Sequence, residues 1–336
     1  MRVSTSQIYR QTTDSLMRSL SDLYRLNEQI SSGKRINKPS DDVTGAARAL
    51  EYKVFMENGK QYLGSINSAM NALSYADTTL TSVDTALSRM KQLSIMAASD
   101  STSDASRQAI ATEAGQLRDQ ILSLANTKVG GAYIFSGFKT DTLAYDSSYA
   151  YQGDAGSINV GVGGGMMVAQ NVTGEKAFSY TLGAEKSVEI RSGVYAYYIP
   201  DPGVGSSVTV EIRGSDRTTV LDSFSYGNAI ELADTLTKAI DSNDMLRISA
   251  LMTSLDDMAD HVNTVRADLG TRMNGLDSQE VRIKDLNHMT EINLSSIEDA
   301  DIITTASDFA KASNTLSAVQ LSTAKILSQS LLDFLK

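Results

Sequence analysis

The stretch LNEQISSGKRINKPSDDVTGAARAL (Leu26–Leu50) ends one helical rhythm and begins another. Upstream of it, Leu16, Leu20, Leu23 and Ile30 step by 4, 3 and 7, a heptad with Asn27 at the missing core position. A buried Asn there would fix register at a cost in stability; the alternative reading turns Asn27 to water. The helix is expected to stop near Ser32, with Gly33 as a left-handed cap. Lys34 and Arg35 then fall where cations suit the negative end of a helix dipole. Pro39 biases Lys38 to an extended conformation. Ser40 or Asp41 can cap the next helix, with Asp42 in its first turn.

Downstream, Leu63, Ile66, Met70, Leu73, Leu80, Val83, Leu87 and Met90 keep a heptad spacing. A helix from Asp42 to Ser99 would be ~85 Å long. Gly59 and Gly64 weaken it locally, so a kink is expected there if anywhere. A third helix follows on Ile110, Ala114, Leu117, Ile121 and Leu124, ending at Gly130–Gly131. The composition then changes: residues 130–227 hold 16 of the 23 Gly and 9 of the 14 Tyr. SINVGVGGGMMV and SSVTVEIRG alternate small or polar with β-branched residues, as strands do, and GVGGG reads as a hairpin turn. Helical rhythm returns after Gly227. Ile248, Leu251, Leu255, Met258, Val262, Val265 and Leu269 step alternately by 3 and 4, the cleanest heptad in the chain. SSIEDADI interrupts it, with Ser295 and Glu298 at capping-box spacing. A last helix, about Ala306 to Lys336, carries Leu316, Val319, Thr323 and Ile326 on one seam, widened by Leu327, Leu331 and Leu335. An apolar face of that width has surface to bury against something else.

The fold class expected is therefore mainly α: a long helical bundle built from both chain ends, with a β-rich insertion. Residues 1–40 with 301–336 form a terminal coiled coil. Residues 41–130 with 228–300 form a helical bundle, and residues 131–227 an inserted β-rich domain. The two ends must run side by side if one bundle is to use both.

The 336 residues include no Cys and no Trp. Disulfides, Cys-based zinc sites and thiol nucleophiles are excluded. The net charge of −10 is uneven, because residues 1–40 carry seven Lys and Arg against three acids. The basic residues are spaced along a helix rather than clustered, which reads as a solvated face and not as a nucleic-acid or membrane site. No cofactor or metal motif stands out. His261 lies near Asp257, and His288 near Asp285 and Glu291, but surface histidines explain both better than a Ser-His-Asp triad. HExxH is absent, SSGKR lacks the flanking residues of a phosphate loop, and EDAD lacks EF-hand spacing. The N-terminal residues lack the apolar run of a secretory signal, and no run approaches the ~18 apolar residues of a membrane span. An enzyme is not expected.

SSGKRINKPSDDVTGAA (Ser31–Ala47) resembles the N-terminal signature of the bacterial flagellin superfamily, and its Lys34 and Pro39 look closer to the hook-associated protein 3 (FlgL) family than to flagellin itself. ANTKVGGAYIFSGFKTDT (Ala125–Thr142) is similar to the family's exit from its third helix into a β domain. VRADLGTRMNGLDS (Val265–Ser278) resembles its C-terminal bundle, and the segment from Ser295 to Lys336 its terminal helix. The resemblance is weakest over residues 155–227.

The resemblance implies a structural protein of the bacterial flagellum that forms a short ring at the hook–filament junction, outside the cell. Its implied partners are hook-associated protein 1 on the hook side, flagellin on the filament side, copies of itself, and an export chaperone on the C-terminal helix. It also implies passage through the flagellar export channel without a cleavable signal peptide. Under it, the assembly interface is expected on Leu16, Leu20, Leu23 and Ile30 against Leu316, Val319 and Ile326, with Leu327, Leu331 and Leu335 covered by neighbours. Gly33, Lys34, Arg35, Pro39, Ser40, Asp41 and Asp42 form the join, expected to act as a hinge. Two competing readings are flagellin proper and a glycan-binding module built on the Tyr-rich strands.

Overall fold

A computed structural model describes residues 5–99, 101–201 and 207–334. The chain divides into two compact units: residues 1–61 with 282–336, and residues 62–281.

The first unit draws on four helices. α1 runs Thr5–Ser32; the first turns of α2 (Val43–Ala97) follow it; the last turns of α6 (Met245–Glu298) lead into α7 (Ile302–Phe334). α1 packs along α7, as expected of ends that share a bundle. Leu16, Leu20, Leu23 and Ile30 are half-buried, as are Leu316, Val319 and Thr323. Asn27 is exposed and Leu26 is buried in its place. A straight helix drifts about 20° per heptad against a 3.5-residue repeat, which carries the buried stripe from the Asn27 position onto Leu26. α2 passes unbroken through Gly59 and Gly64. The lack of a side chain at Gly59 admits Asn287 of α6, whose amide oxygen lies 2.3 Å from where a Cβ would stand.

In the second unit the remainder of α2 and α6 run antiparallel. Lys91 bonds Asp256 (2.5 Å), Asn263 bonds Asp84 (3.2 Å) and Arg266 bonds Asp77 (3.0 Å), so position advances along one helix as it retreats along the other. Their heptads meet the expectation: Ile66, Leu73, Leu80, Val83, Leu87 and Met90 are buried, and so is every residue of the Ile248–Leu269 series. α3 (Asp104–Ala125) and α5 (Ala229–Asp241) pack together, tied by Arg118–Asp234 at 2.9 Å. α3 ends at Ala125, short of Gly130–Gly131, because Asn126 turns away to exchange hydrogen bonds with the Tyr145 backbone (2.8 and 2.9 Å).

One residue that braces the α2–α3 turn has no sequence signature. Arg107, on α3, is buried and donates to the carbonyls of Ala97 (2.7 Å) and Thr102 (2.8 Å), satisfying the orphan end of α2. Arg107→Ala is expected to cost about 2–3 kcal/mol, the range for losing charged hydrogen bonds with their acceptors left buried. Thermal denaturation of the purified chain measures it.

The insertion is β-rich. β1 (Lys128–Val129) pairs with β2 (Ala132–Tyr133), and β3 (Asn159–Gly161) with β4 (Met167–Ala169). The β3–β4 turn passes through Gly163, Gly164 and Gly165 at positive φ, which is the expected hairpin. After the short helix α4 (Gly174–Phe178), strands β5 (Lys186–Arg191), β6 (Val194–Pro200), β7 (Val208–Arg213) and β8 (Val220–Tyr226) form an antiparallel meander in chain order. One face is buried by Ala196, Tyr198, Val208, Val210 and Ile212, and the Tyr198 hydroxyl donates to the Ala250 carbonyl of α6 at 2.7 Å. On the other face, Arg213 covers the Tyr197 ring (4.2 Å) and Arg217 the Tyr195 ring (4.4 Å). Those guanidinium groups occupy the ring faces that a sugar would stack on.

Candidate assembly interface

The join from Gly33 to Asp42 is strapped to the α6–α7 turn. Gly33, at φ +71°, ends α1 and donates to the Gln29 carbonyl (2.9 Å), as its position predicts. Its own carbonyl accepts from Ala300 (2.9 Å), while the Arg35 amide donates to the Glu298 carbonyl (2.6 Å). Lys34 and Asp299 thus face each other as an isolated antiparallel bridge.

Side chains lock the same contact. The Glu298 carboxylate is buried, and its Oε1 is 2.8 Å from both Lys34 Nζ and Lys53 Nζ. Arg35 Nη2 donates to the Ile297 carbonyl at 2.7 Å and lies 3.4 Å from Asp42. The cations therefore serve the negative end of α6 and its last residue, not the end of α1 that they follow in sequence. The capping-box reading of Ser295 and Glu298 is also corrected. Both lie within α6, Ser295 donates to Asp299 (2.5 Å), and Asp301 caps α7 by accepting from Ile303 (3.0 Å) and Thr304 (3.2 Å).

The capping of α2 differs in the same way. Asp42 is the cap, accepting from Gly45 at 2.8 Å. Asp41 instead accepts from Asn37 (3.0 Å) and Lys38 (2.9 Å) and closes the loop. Pro39 and Ser40 are exposed. Lys38 pairs with Glu28 of α1 at 2.9 Å.

Burial pushes the Glu298 carboxyl up, but hydrogen bonds and charge from Lys34 and Lys53 outweigh it and hold the group below the ordinary glutamate value. Hydrogen bonds from backbone amides or Thr304 lower Asp41, Asp42 and Asp301 too. A carboxyl depressed in the folded state contributes stability that is complete above its unfolded pKa and lost as pH falls through the folded one. The strap should therefore loosen progressively below about pH 4.5. Glu298→Gln should flatten part of that acid dependence, read as protease sensitivity of the join against pH.

The outward sides of α1 and α7 keep large apolar side chains: Tyr9, Met17, Tyr24 and Leu321 are all more than half exposed. Of the expected interface residues, those on α1, together with Leu316 and Val319, lie on the helices that pack together. The side chains of Ile326, Leu327, Leu331 and Leu335 lie outside the described residues. The histidines build no triad: His261 contacts the Lys176 carbonyl (2.9 Å) beside Tyr180, and His288 is exposed, 3.9 Å from Glu291. Among the described residues no group of three or more acidic or histidine side chains could hold a metal ion, and no helix is long and apolar enough to cross a membrane.

The bacterial flagellin N-terminal helical region matches residues 3–140, and the bacterial flagellin C-terminal helical region matches residues 252–335. Flagellar hook-associated protein 3 of Salmonella typhimurium is 27% identical over 304 residues, 90% of this chain and 89% of that protein. Its counterpart from Escherichia coli is 29% identical over 280 residues, 83% of this chain and 82% of that protein. The fold is shared with the solved flagellar hook-associated protein 3 of Legionella pneumophila, at a TM-score of 0.56 and 19% identity, over 73% of this chain and 98% of that one. With both flagellin regions matched on the two strapped helical ends, and relatives aligned over most of their length, the chain belongs to the bacterial flagellin family, in its hook-associated protein 3 (FlgL) branch.

Proposed function

We propose that this chain is the structural adaptor that joins the flagellar hook to the filament, and that it works as a ring of identical subunits. The observation that carries the reading is the pairing of α1 with α7, the two helical ends, with apolar side chains still facing outward. Neighbouring subunits would cover them, at roughly 25 cal/mol per Å² buried, less the cost of association. The interface is assigned to Leu16, Leu20, Leu23 and Ile30 with Leu316, Val319 and Ile326; Leu327, Leu331 and Leu335 meet other subunits. Hook-associated protein 1 is the partner on the hook side and flagellin on the filament side. An export chaperone holds the C-terminal helix before assembly, and export needs no cleavable signal.

The Gly33–Asp42 join is assigned the role of a hinge that moves together with the α6–α7 turn, because backbone and side-chain bonds tie the two crossings. A Gly33→Ala, Pro39→Ala variant that assembles with unchanged junction mechanics would remove the hinge assignment.

Deletion of the gene tests the main reading. Intact hooks with unpolymerised flagellin in the medium are expected. Hooks without filaments and without released flagellin would make the chain a flagellin. Normal filaments would reject both.

A further inference from the structure

We infer that a groove beside the strap receives the Asp301–Ile303 corner of a second copy of this chain. The inference rests on the ring proposed above and names the contact that propagates it.

The groove lies between the Ile36–Pro39 loop and the first turns of α2, with a volume of about 250 Å³. Ile36 and Ala49 form a buried apolar floor, and Pro39 and Leu50 its exposed walls. Lys38 and Lys53 stand on its rim, both exposed, although Lys38 pairs with Glu28 and Lys53 with Glu298. Glu298 also lines the groove, but two lysines, Lys34 and Lys53, share its one carboxylate, so the site is an apolar slot whose margin keeps a net positive charge.

The complementary shape is on the same chain. Ile303 is 84% exposed and Ile302 48%, side by side in the first turn of α7. Asp301 fixes them there by capping that turn through the Ile303 and Thr304 amides. Asp299 and Asp301 precede the pair and are both exposed. The corner is thus an apolar knob with an acidic margin. Branched aliphatic side chains suit the floor, and opposite charges meet at the rim, where they select partner and register more than they add affinity. The knob stays exposed on its own chain, which leaves it available to the groove of another copy. Knob and groove are different surfaces, which makes the contact heterologous. Such contacts do not stop at a dimer; they close into rings or continue as helices.

The chain has no Cys, so any disulfide must come from introduced residues. Leu50→Cys and Ile303→Cys are placed together in the chromosomal gene, and isolated flagella are oxidised with copper phenanthroline. A ladder of dimers and higher multimers of this chain is expected on non-reducing gels, absent from either single variant. An adduct of Leu50→Cys with a different flagellar protein, or no adduct from assembled flagella, overturns the inference. If the double variant does not assemble, Ile303→Glu decides. The residue is exposed, so the monomer should melt unchanged while flagellin release rises to the level of the deletion strain; Ile303→Val should behave as the parent. Normal filaments with Ile303→Glu reject the contact. A ladder in a strain whose deletion releases no flagellin would keep this contact and remove the junction reading. Release without a ladder would do the reverse.

Discussion

A chain carrying Gly137→Ala is expected to lose about 3 kcal/mol of stability in residues 62–281, lowering that unit's melting temperature by about 6–12 °C. Gly137 sits at φ +70°, where an L-residue costs about 1–2 kcal/mol. A Cβ there would stand 2.4 Å from the Asp154 carbonyl oxygen and 2.2 Å from its Oδ1. The first of those atoms is backbone, so the loop itself must shift. Asp154 cannot withdraw cheaply, because the same Oδ1 accepts from the Phe138 and Gly156 amides, each at 2.8 Å. Those bonds hold its carboxyl below the ordinary aspartate range. Calorimetry of the purified chain reads the effect. A shift under about 2 °C would mean that the loop yields where the geometry says it resists.

The largest functional effect is expected from Leu16→Asp combined with Leu316→Asp. Both leucines are half-buried on the helices that pack together, α1 and α7. Each change removes about 1 kcal/mol of apolar burial and brings a carboxylate into the seam, where it stays poorly solvated. Two like charges on one seam oppose its closure. Filament attachment should be lost completely, with flagellin released as in a deletion strain, while residues 62–281 unfold as in the parent. Motility, secreted flagellin and a melting curve together give the answer. Retained motility would show that the seam is not the assembly interface.

The parts of the molecule legible in sequence are those governed by repeat. From Ile248 to Leu269 every heptad position is buried, because a long helix with a one-sided apolar stripe has one way to bury it. Gly33 was legible because a left-handed residue after a helix is a local requirement. Glu298 is not legible in sequence for the matching reason. Ser295 and Glu298 satisfy a local spacing rule, yet the partners of Glu298 are Lys34 and Lys53, far away in sequence. Spacing carries no information about such pairs. Ser40 and Asp41, the expected caps, can accept a helix's first amides no better than Asp42, expected in the first turn, and the loop's path, not its composition, makes Asp42 the cap. Arg107 had no signature because its acceptors are backbone carbonyls, which every sequence supplies. Of the exposed pair, Ile302 closes the interrupting segment SSIEDADI and Ile303 falls between it and the helix expected from Ala306, where apolar residues have no periodicity to explain them.

The strap has a consequence for the order of events during folding. The bonds that finish the first unit join residues separated by 245 and 262 positions. Contacts that remote carry a high loop-closure entropy until the intervening chain has condensed, so they form late. Residues 62–281 need neither terminus. A chain threaded through a narrow channel, from whichever end, can condense its middle while the remainder is still inside, but it cannot close the strap until both ends have emerged. Under the proposed export and ring assembly, the surface that would recruit a neighbour is completed last, and polymerisation would wait on complete delivery of the subunit.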